Sequence, residues 1–83
     1  MKEKIESGVV KWFKQNRGFG FICLDEPFDG VSEVFCHISE LQNEETLAKG
    51  DLVEFNIGQH EKGPLAKRVV VIGSDPTLFR GGS

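Results

Sequence analysis

The sequence predicts an all-β fold, a five-stranded antiparallel barrel formed by one small domain. Five short runs of residues alternate apolar with polar side chains or are rich in β-branched residues, and Gly, Pro, Asn and Asp separate them. No stretch has the apolar spacing of a long amphipathic helix. A chain of 83 residues has room for one hydrophobic core. Closing five strands into a barrel also removes the exposed sheet edges that promote aggregation.

Each predicted strand has its own sequence signature. The first contains two valines and ends in Trp-Phe, the second alternates Phe with Gly, and the third alternates Phe and His with smaller apolar residues. The fourth alternates large apolar residues with acidic or amide side chains, and the fifth is a run of valines. The predicted strands span residues 8–13, 19–24, 34–38, 51–58 and 65–72.

Turn-forming residues define the connections between these strands. Residues 15–18, Gln-Asn-Arg-Gly, suit a tight turn because Asn and Gly tolerate left-handed backbone conformations. Residues 25–32 contain Pro, Gly and three carboxylates and are predicted to form a loop. Residues 44–48 are predicted to form one or two helical turns that end at Gly50. Residues 59–64 reverse the chain before the last strand.

The two ends of the chain are predicted to be flexible. Residues 1–7 are mostly charged, and residues 73–83 are rich in Gly, Ser and Pro. The folded domain is therefore expected to span residues 8–72.

An aromatic surface is predicted on the second strand. Phe19 and Phe21 are two residues apart, so their rings project from the same face of a strand. If that face pointed inward, Ile22 would be exposed to water, so the economical register places Ile22 in the core and both rings outside. Gly18 and Gly20 would leave the backbone beside the rings open to a flat ligand.

The cations cluster next to these rings although the protein as a whole is acidic. The formal net charge is -3, yet residues 11–22 contain four of the eight aromatic rings, three cations and no acidic residue. Residues 25–45 contain seven acidic residues and neither Lys nor Arg. Rings that stack on bases beside cations that meet phosphates are typical of a surface for single-stranded nucleic acid. The charge pattern predicts a molecule with one basic and one acidic side.

The remaining composition argues against several other classes. Cys23 and Cys36 lack metal-ligand spacing and fall on opposite strand faces, so neither a disulfide nor a metal site is expected. No apolar run reaches the length of a membrane span, so a cytoplasmic protein without cofactor is expected. No nucleophile, acid and base pattern is evident, so an enzyme is not expected.

Four motifs together resemble the cold-shock domain proteins, over about residues 8–72. The motifs lie at residues 8–13, 17–22, 34–39 and 62–66, in the family's order and at nearly its spacing. The resemblance implies a five-stranded oligonucleotide-binding barrel that binds single-stranded RNA or DNA, with a preference for pyrimidines. It also implies an RNA chaperone or a regulator of transcription or translation.

The resemblance also implies which side chains contact the ligand. Bases would stack on the rings of Trp12, Phe19, Phe21, Phe35 and His37, with Phe13 beside them. Phosphates or base edges would meet Lys11, Arg17 and Lys62. Lys14 stands where many members have Asn, and from the cluster of cations we expect it to attract phosphates as well.

Two departures from the family pattern affect the expected affinity. Ile38 stands where the family often has another ring, and residues 42–46 lack an aromatic residue that the family's loop commonly carries. We therefore expect fewer stacked bases or weaker binding than in a typical member, unless Phe28, in a loop longer than usual, replaces a ring.

Three questions remain open at this stage. An RNA-recognition motif domain would also fit residues 17–22, but it needs two amphipathic helices. A protein-binding barrel that uses the acidic residues 25–45 is the alternative from another functional class. The sequence favours neither RNA nor DNA as the ligand, and a monomer is expected without evidence on oligomerisation.

Overall fold

The computed structural model describes residues 4–61 and 63–74, which form a closed five-stranded barrel. The strands follow one another around the barrel in the order β1-β2-β3-β5-β4. A single 3₁₀ turn, Ile38–Glu40, follows the third strand. The strands are β1 (Ile5–Lys14), β2 (Phe19–Phe28), β3 (Val31–His37), β4 (Asp51–His60) and β5 (Gly63–Ser74). The predicted all-β barrel is confirmed.

The barrel closes through a short parallel junction between β3 and β5. The other neighbouring strands are antiparallel, whereas β3 meets β5 in parallel at Phe35 and Leu65. Beyond this pair the chain after β3 continues along β5 without forming a strand. There the side-chain amide of Asn43 replaces a strand, since it donates to the carbonyl of Val71 and accepts from its N–H, both at 3.0 Å.

One hydrophobic core fills the barrel. Ile22 is fully buried, as predicted from the register of β2. Leu47 lies in a connection, yet its side chain is buried in the same core, so the segment between β3 and β4 is anchored to the barrel. The buried residues are Val10, Ile22, Leu24, Val34, Cys36, Leu47, Val53, Phe55, Ala66 and Val69.

Strand pairing extends further than the sequence predicted. Residues 25–32 were predicted as a loop, but β2 runs to Phe28 and β3 starts at Val31, with Asp29 and Gly30 as the turn at φ 48° and 78°. The turn-forming residues therefore predicted the position of the chain reversal correctly, but the predicted loop was too long. Ile5 to Ser7, predicted as flexible, pair with β4, because the longer β4 offers them an edge.

The helical turns predicted at residues 44–48 are absent from the structure, which has a 3₁₀ turn at Ile38–Glu40 instead. Five residues offer too few hydrogen bonds to offset helix nucleation, and burial of Leu47 fixes an irregular path. Among the described residues, no helix is long and apolar enough to cross a membrane.

Candidate nucleic-acid interface

Four half-buried rings form a cluster on the outer surface of β1, β2 and β3. Trp12 contacts Phe19 and Phe21 at centroid distances of 5.9 and 5.4 Å. Phe35 stacks on Phe19 at 5.6 Å with an interplanar angle of 26° and meets the edge of Phe21 at 5.8 Å. Each ring contacts two others while part of its surface stays accessible, so the four rings form an aromatic platform.

A β-bulge at Lys11 turns Trp12 toward this platform. Val10 pairs with Ile22, but Trp12 pairs with Phe21, so Lys11 is an extra residue in β1. If β1 alternated regularly through Lys11, Trp12 would share the inward face of Val10, since side chains two apart lie on the same face. The bulge therefore explains why Trp12 faces outward, on the same side of the sheet as Phe19, Phe21 and Phe35.

The same bulge places Phe13 on the opposite side of β1. Its ring is partly buried and packs against the core, beside Gly20. Phe13 therefore alternates with Trp12 and packs toward the core, and its contact with bases stays a prediction.

Gly20 also has a different role from the one expected. It is buried, and a methyl group there would overlap the backbone oxygen of Trp12 and lie 2.7 Å from the Cα atom of Phe13. Gly20 thus allows β1 and β2 to pack closely rather than opening the backbone to a ligand. Gly18, at φ 78°, serves the turn.

His37 extends the row of outward side chains on β3. It pairs with Phe19 in the sheet and is exposed. Its Nδ1 atom accepts the backbone N–H of Ser39 at 3.1 Å and lies 2.9 Å from the Ser39 hydroxyl. Because Nδ1 accepts a hydrogen bond, the neutral ring carries its proton on Nε2, and its orientation is fixed at the border of the platform.

Two of the predicted cations border the rings directly. The guanidinium carbon of Arg17 lies 5.9 Å from the centroid of Phe19, within the range of a cation–π contact. Lys14 is exposed and pairs with Phe19, so it follows Trp12 on the outward face of β1. Lys62 lies outside the described residues.

Lys11 is already engaged by an acidic side chain. Its Nζ atom lies 2.6 Å from Oε2 of Glu33, and this carboxylate, through its hydrogen bond and its charge, raises the pKa of the lysine. Glu33 shares an outward face with Phe35 and His37. The acidic segment is therefore not confined to the far side of the protein, because one of its carboxylates lies within the aromatic surface.

A cavity of about 520 Å³ opens beside Phe21 and Phe35. Its other walls come from the hairpin between β4 and β5, and they were not predicted as site residues. Glu33 could have been found, since it alternates with Phe35 on β3, whereas the hairpin residues depend on the β3–β5 junction. The cavity is lined by Phe21, Glu33, Phe35, His60, Gly63, Pro64 and Leu65.

Phe28 lies at the far end of the β2–β3 hairpin, where it pairs with Val31 and is 37% exposed. Val31 precedes Phe35 by four residues, a separation of roughly 13 Å at about 3.3 Å per strand residue. Ile38 packs its Cγ2 atom near Gly18. Phe28 therefore lies apart from the platform, and its replacement of a missing ring stays a prediction.

Neither cysteine joins the site as a metal ligand or disulfide. Both are free thiols, and burial raises the pKa of Cys36 to about 12. Among the described residues, no group of three His, Cys, Asp or Glu side chains could hold a metal ion.

Comparison with known proteins identifies the family. The profile of the 'Cold-shock' DNA-binding domain matches residues 6–72. The chain belongs to the cold-shock domain family. Members of this family bind nucleic acids, and the family is one of binding proteins rather than enzymes.

Curated relatives align over most of their own length. Cold shock-like protein CspB of Yersinia pestis is 47% identical over 68 residues, which cover 80% of this chain and 93% of the relative. Cold shock-like protein CspC of Escherichia coli K12 is 48% identical over 67 residues, 78% of this chain and 93% of the relative.

A solved structure shares the fold. Drosophila Unr CSD456 superimposes with a TM-score of 0.68 at 30% identity, over 84% of this chain and 27% of that longer chain.

Proposed function

We propose that the protein binds single-stranded RNA or DNA by stacking unpaired bases on the platform of Trp12, Phe19, Phe21 and Phe35. The half-exposed four-ring cluster carries this proposal. Large apolar side chains stabilise a small barrel most when they are fully buried, so four rings held at its surface favour an external partner. Base faces are the flat, apolar surfaces that such rings recognise.

Charged groups at the border of the platform orient the strand. Arg17 and Lys14 stand at the β1–β2 end and would meet phosphates. Lys11 would do so only in competition with Glu33. With few phosphate contacts, the logarithm of affinity should fall with the logarithm of salt concentration by about 0.7 per neutralised phosphate.

The proposed activity is passive. A duplex hides its base faces, so the protein binds the open strand and shifts the equilibrium of an RNA toward unpaired states by mass action. This mode suits an RNA chaperone or a regulator of transcription or translation. Sequence preference should be modest because every base has a π-face.

Quenching of the single tryptophan tests the proposal. A short oligopyrimidine is titrated as a single strand and, in parallel, as a duplex. We expect saturable quenching of Trp12 by the single strand alone, with weaker binding in Phe35→Ala. The matched control is Phe28→Ala, which removes a ring distant from the platform. A folded protein that binds no single strand would refute the proposal and direct attention to the acidic residues 25–45 as a protein-binding surface.

We further propose that the protein acts as a cytoplasmic monomer. Free thiols at Cys23 and Cys36 are compatible with a reducing compartment. Sedimentation equilibrium with and without oligonucleotide would test the oligomeric state, and a concentration-dependent dimer would contradict the proposal.

A further inference from the structure

The cavity beside the platform has walls from two distant parts of the chain. Phe21 and Phe35 form one side, on β2 and β3. The parallel pairing of Phe35 with Leu65 brings the start of β5 alongside, and the pairing of His60 with Gly63 places the end of β4 at the same rim. His60 thus lines the cavity together with Phe21 and Phe35.

We propose that His60 is a further base-stacking residue, which holds a nucleobase in this cavity against Phe35. The inference rests on the proposed single-strand binding and extends it to a residue outside the platform. Imidazole is one of the flat side chains on which unpaired bases stack.

The dimensions and lining of the cavity fit this role. A volume of about 520 Å³ lies within the range of roughly 300–1,000 Å³ that small-molecule sites occupy. Six of its seven lining residues are not acidic, and most of them are apolar or aromatic, as a base plane requires. The exception is Glu33, whose carboxylate is paired with Lys11 at 2.6 Å.

His60 adds a ring to a surface on which the family pattern is incomplete, although at the end opposite Ile38, since His60 pairs with Gly63, two residues before Leu65, whereas Ile38 follows Phe35 by three. The chain has Ile38 after His37, and residues 41–50 contain no aromatic side chain. His60 is exposed at the end of β4 and lines the cavity.

Three substitutions of His60 test whether its flat ring or a positive charge contributes to binding, and a fourth variant controls for general effects on the hairpin. His60→Ala removes the ring, His60→Phe keeps a flat ring without a titratable group, and His60→Lys supplies a cation without a ring. Gln59→Ala is the matched control, because Gln59 is the exposed neighbour on β4 that does not line the cavity. Circular dichroism and thermal unfolding establish that each variant is folded.

Affinity for a short oligothymidine is measured for each variant. We expect His60→Ala to weaken binding about 5- to 150-fold, the loss of one stacked base. His60→Phe should bind as tightly as the wild type or more tightly, and Gln59→Ala should bind as the wild type. Full binding by His60→Ala, or retention by His60→Lys together with loss in His60→Phe, would overturn the stacking role.

Abasic substitutions then locate the contact. Each nucleotide of the strand is replaced in turn by an abasic unit, and the loss of affinity is compared between the wild type and His60→Ala in a double-mutant cycle. We expect one position whose abasic penalty shrinks in the variant, and additive penalties at every position would overturn the proposal. If the wild type itself binds no strand, the proposed function fails; if it binds and the variant matches it, only the role of His60 fails.

Discussion

Replacing Gly20 with alanine separates two explanations for the glycine between Phe19 and Phe21. If Gly20 exists to let a ligand approach, Gly20→Ala weakens binding and leaves the fold intact. If Gly20 exists to let β1 and β2 approach each other closely, the same change destabilises the barrel. The structure favours the second explanation, because the new methyl group would overlap the backbone oxygen of Trp12 and lie 2.7 Å from both Cα and Cδ1 of Phe13.

The size of the effect follows from what the methyl group meets. Two of its three neighbours are backbone atoms of β1, which cannot move without breaking strand pairing. Overpacking typically costs about 1–3 kcal/mol, and a rigid neighbour favours the upper end, about 3 kcal/mol. For a domain of this size each kcal/mol lowers Tm by about 4–8 °C, so we expect a fall of roughly 12–24 °C.

Urea unfolding, followed by tryptophan fluorescence and circular dichroism, measures the change as a shift of the midpoint at constant slope. The matched control is Gly73→Ala, where the methyl group would lie 3.7 Å from the Leu52 Cδ1 atom, an ordinary contact. This control should be neutral or stabilised by about 0.4–1 kcal/mol, since alanine restricts the unfolded chain. A Gly20→Ala protein with wild-type stability and weakened binding would refute the packing explanation.

Three further predictions follow from the described contacts. Phe35→Ala should weaken single-strand binding by about 1–3 kcal/mol, the value of one stacked base, whereas Phe28→Ala should leave it unchanged; fluorescence titration compares the two. Glu33→Gln should strengthen binding and steepen the salt dependence by about 0.7, because the change releases Lys11 to meet a phosphate; titrations at several salt concentrations measure the slope. Burial raises the pKa of Cys36 from 9.0 to about 12, so its contribution to stability is fully present below pH 9 and is lost as pH rises toward 12; chemical unfolding across this range, compared with Cys36→Ala, detects the difference.

Each of these predictions has an outcome that contradicts it. Equal losses in the two phenylalanine variants would mean that the β2–β3 hairpin folds over the ligand. An unchanged salt slope in Glu33→Gln would show that Lys11 does not reach a phosphate. Identical pH profiles for Cys36→Ala and the wild type would exclude a contribution from the buried thiol.

The sequence predicted the features of the site that depend on strand periodicity. Phe19, Phe21 and Phe35 are outward and Ile22 is inward because strict alternation in β2 and β3 settles both faces. Alternation also made Glu33 predictable on the same face, although its charge argued against including it in a phosphate-binding surface.

The features that escaped prediction depend on contacts between distant segments. The bulge at Lys11 is visible only when β1 is aligned with β2, and it decides the orientation of Phe13. The position of His60 depends on the β3–β5 junction, which brings together residues far apart in sequence. β2 extends through Pro27 because Phe28 pairs with Val31 of β3, and the turn propensity of the local residues does not predict this pairing.

The bulge in β1 makes the outward face of Trp12 independent of whether Lys11 is present. Within a regular strand, the loss of one codon exchanges the two faces of every residue that follows. Deleting the codon for Lys11 would instead remove the extra residue and leave Val10 paired with Ile22 and Trp12 paired with Phe21, so the indole would stay outside and Phe13 would stay inside. A descendant of this sequence that lost the codon would therefore keep its aromatic surface and lose the ion pair between Lys11 and Glu33.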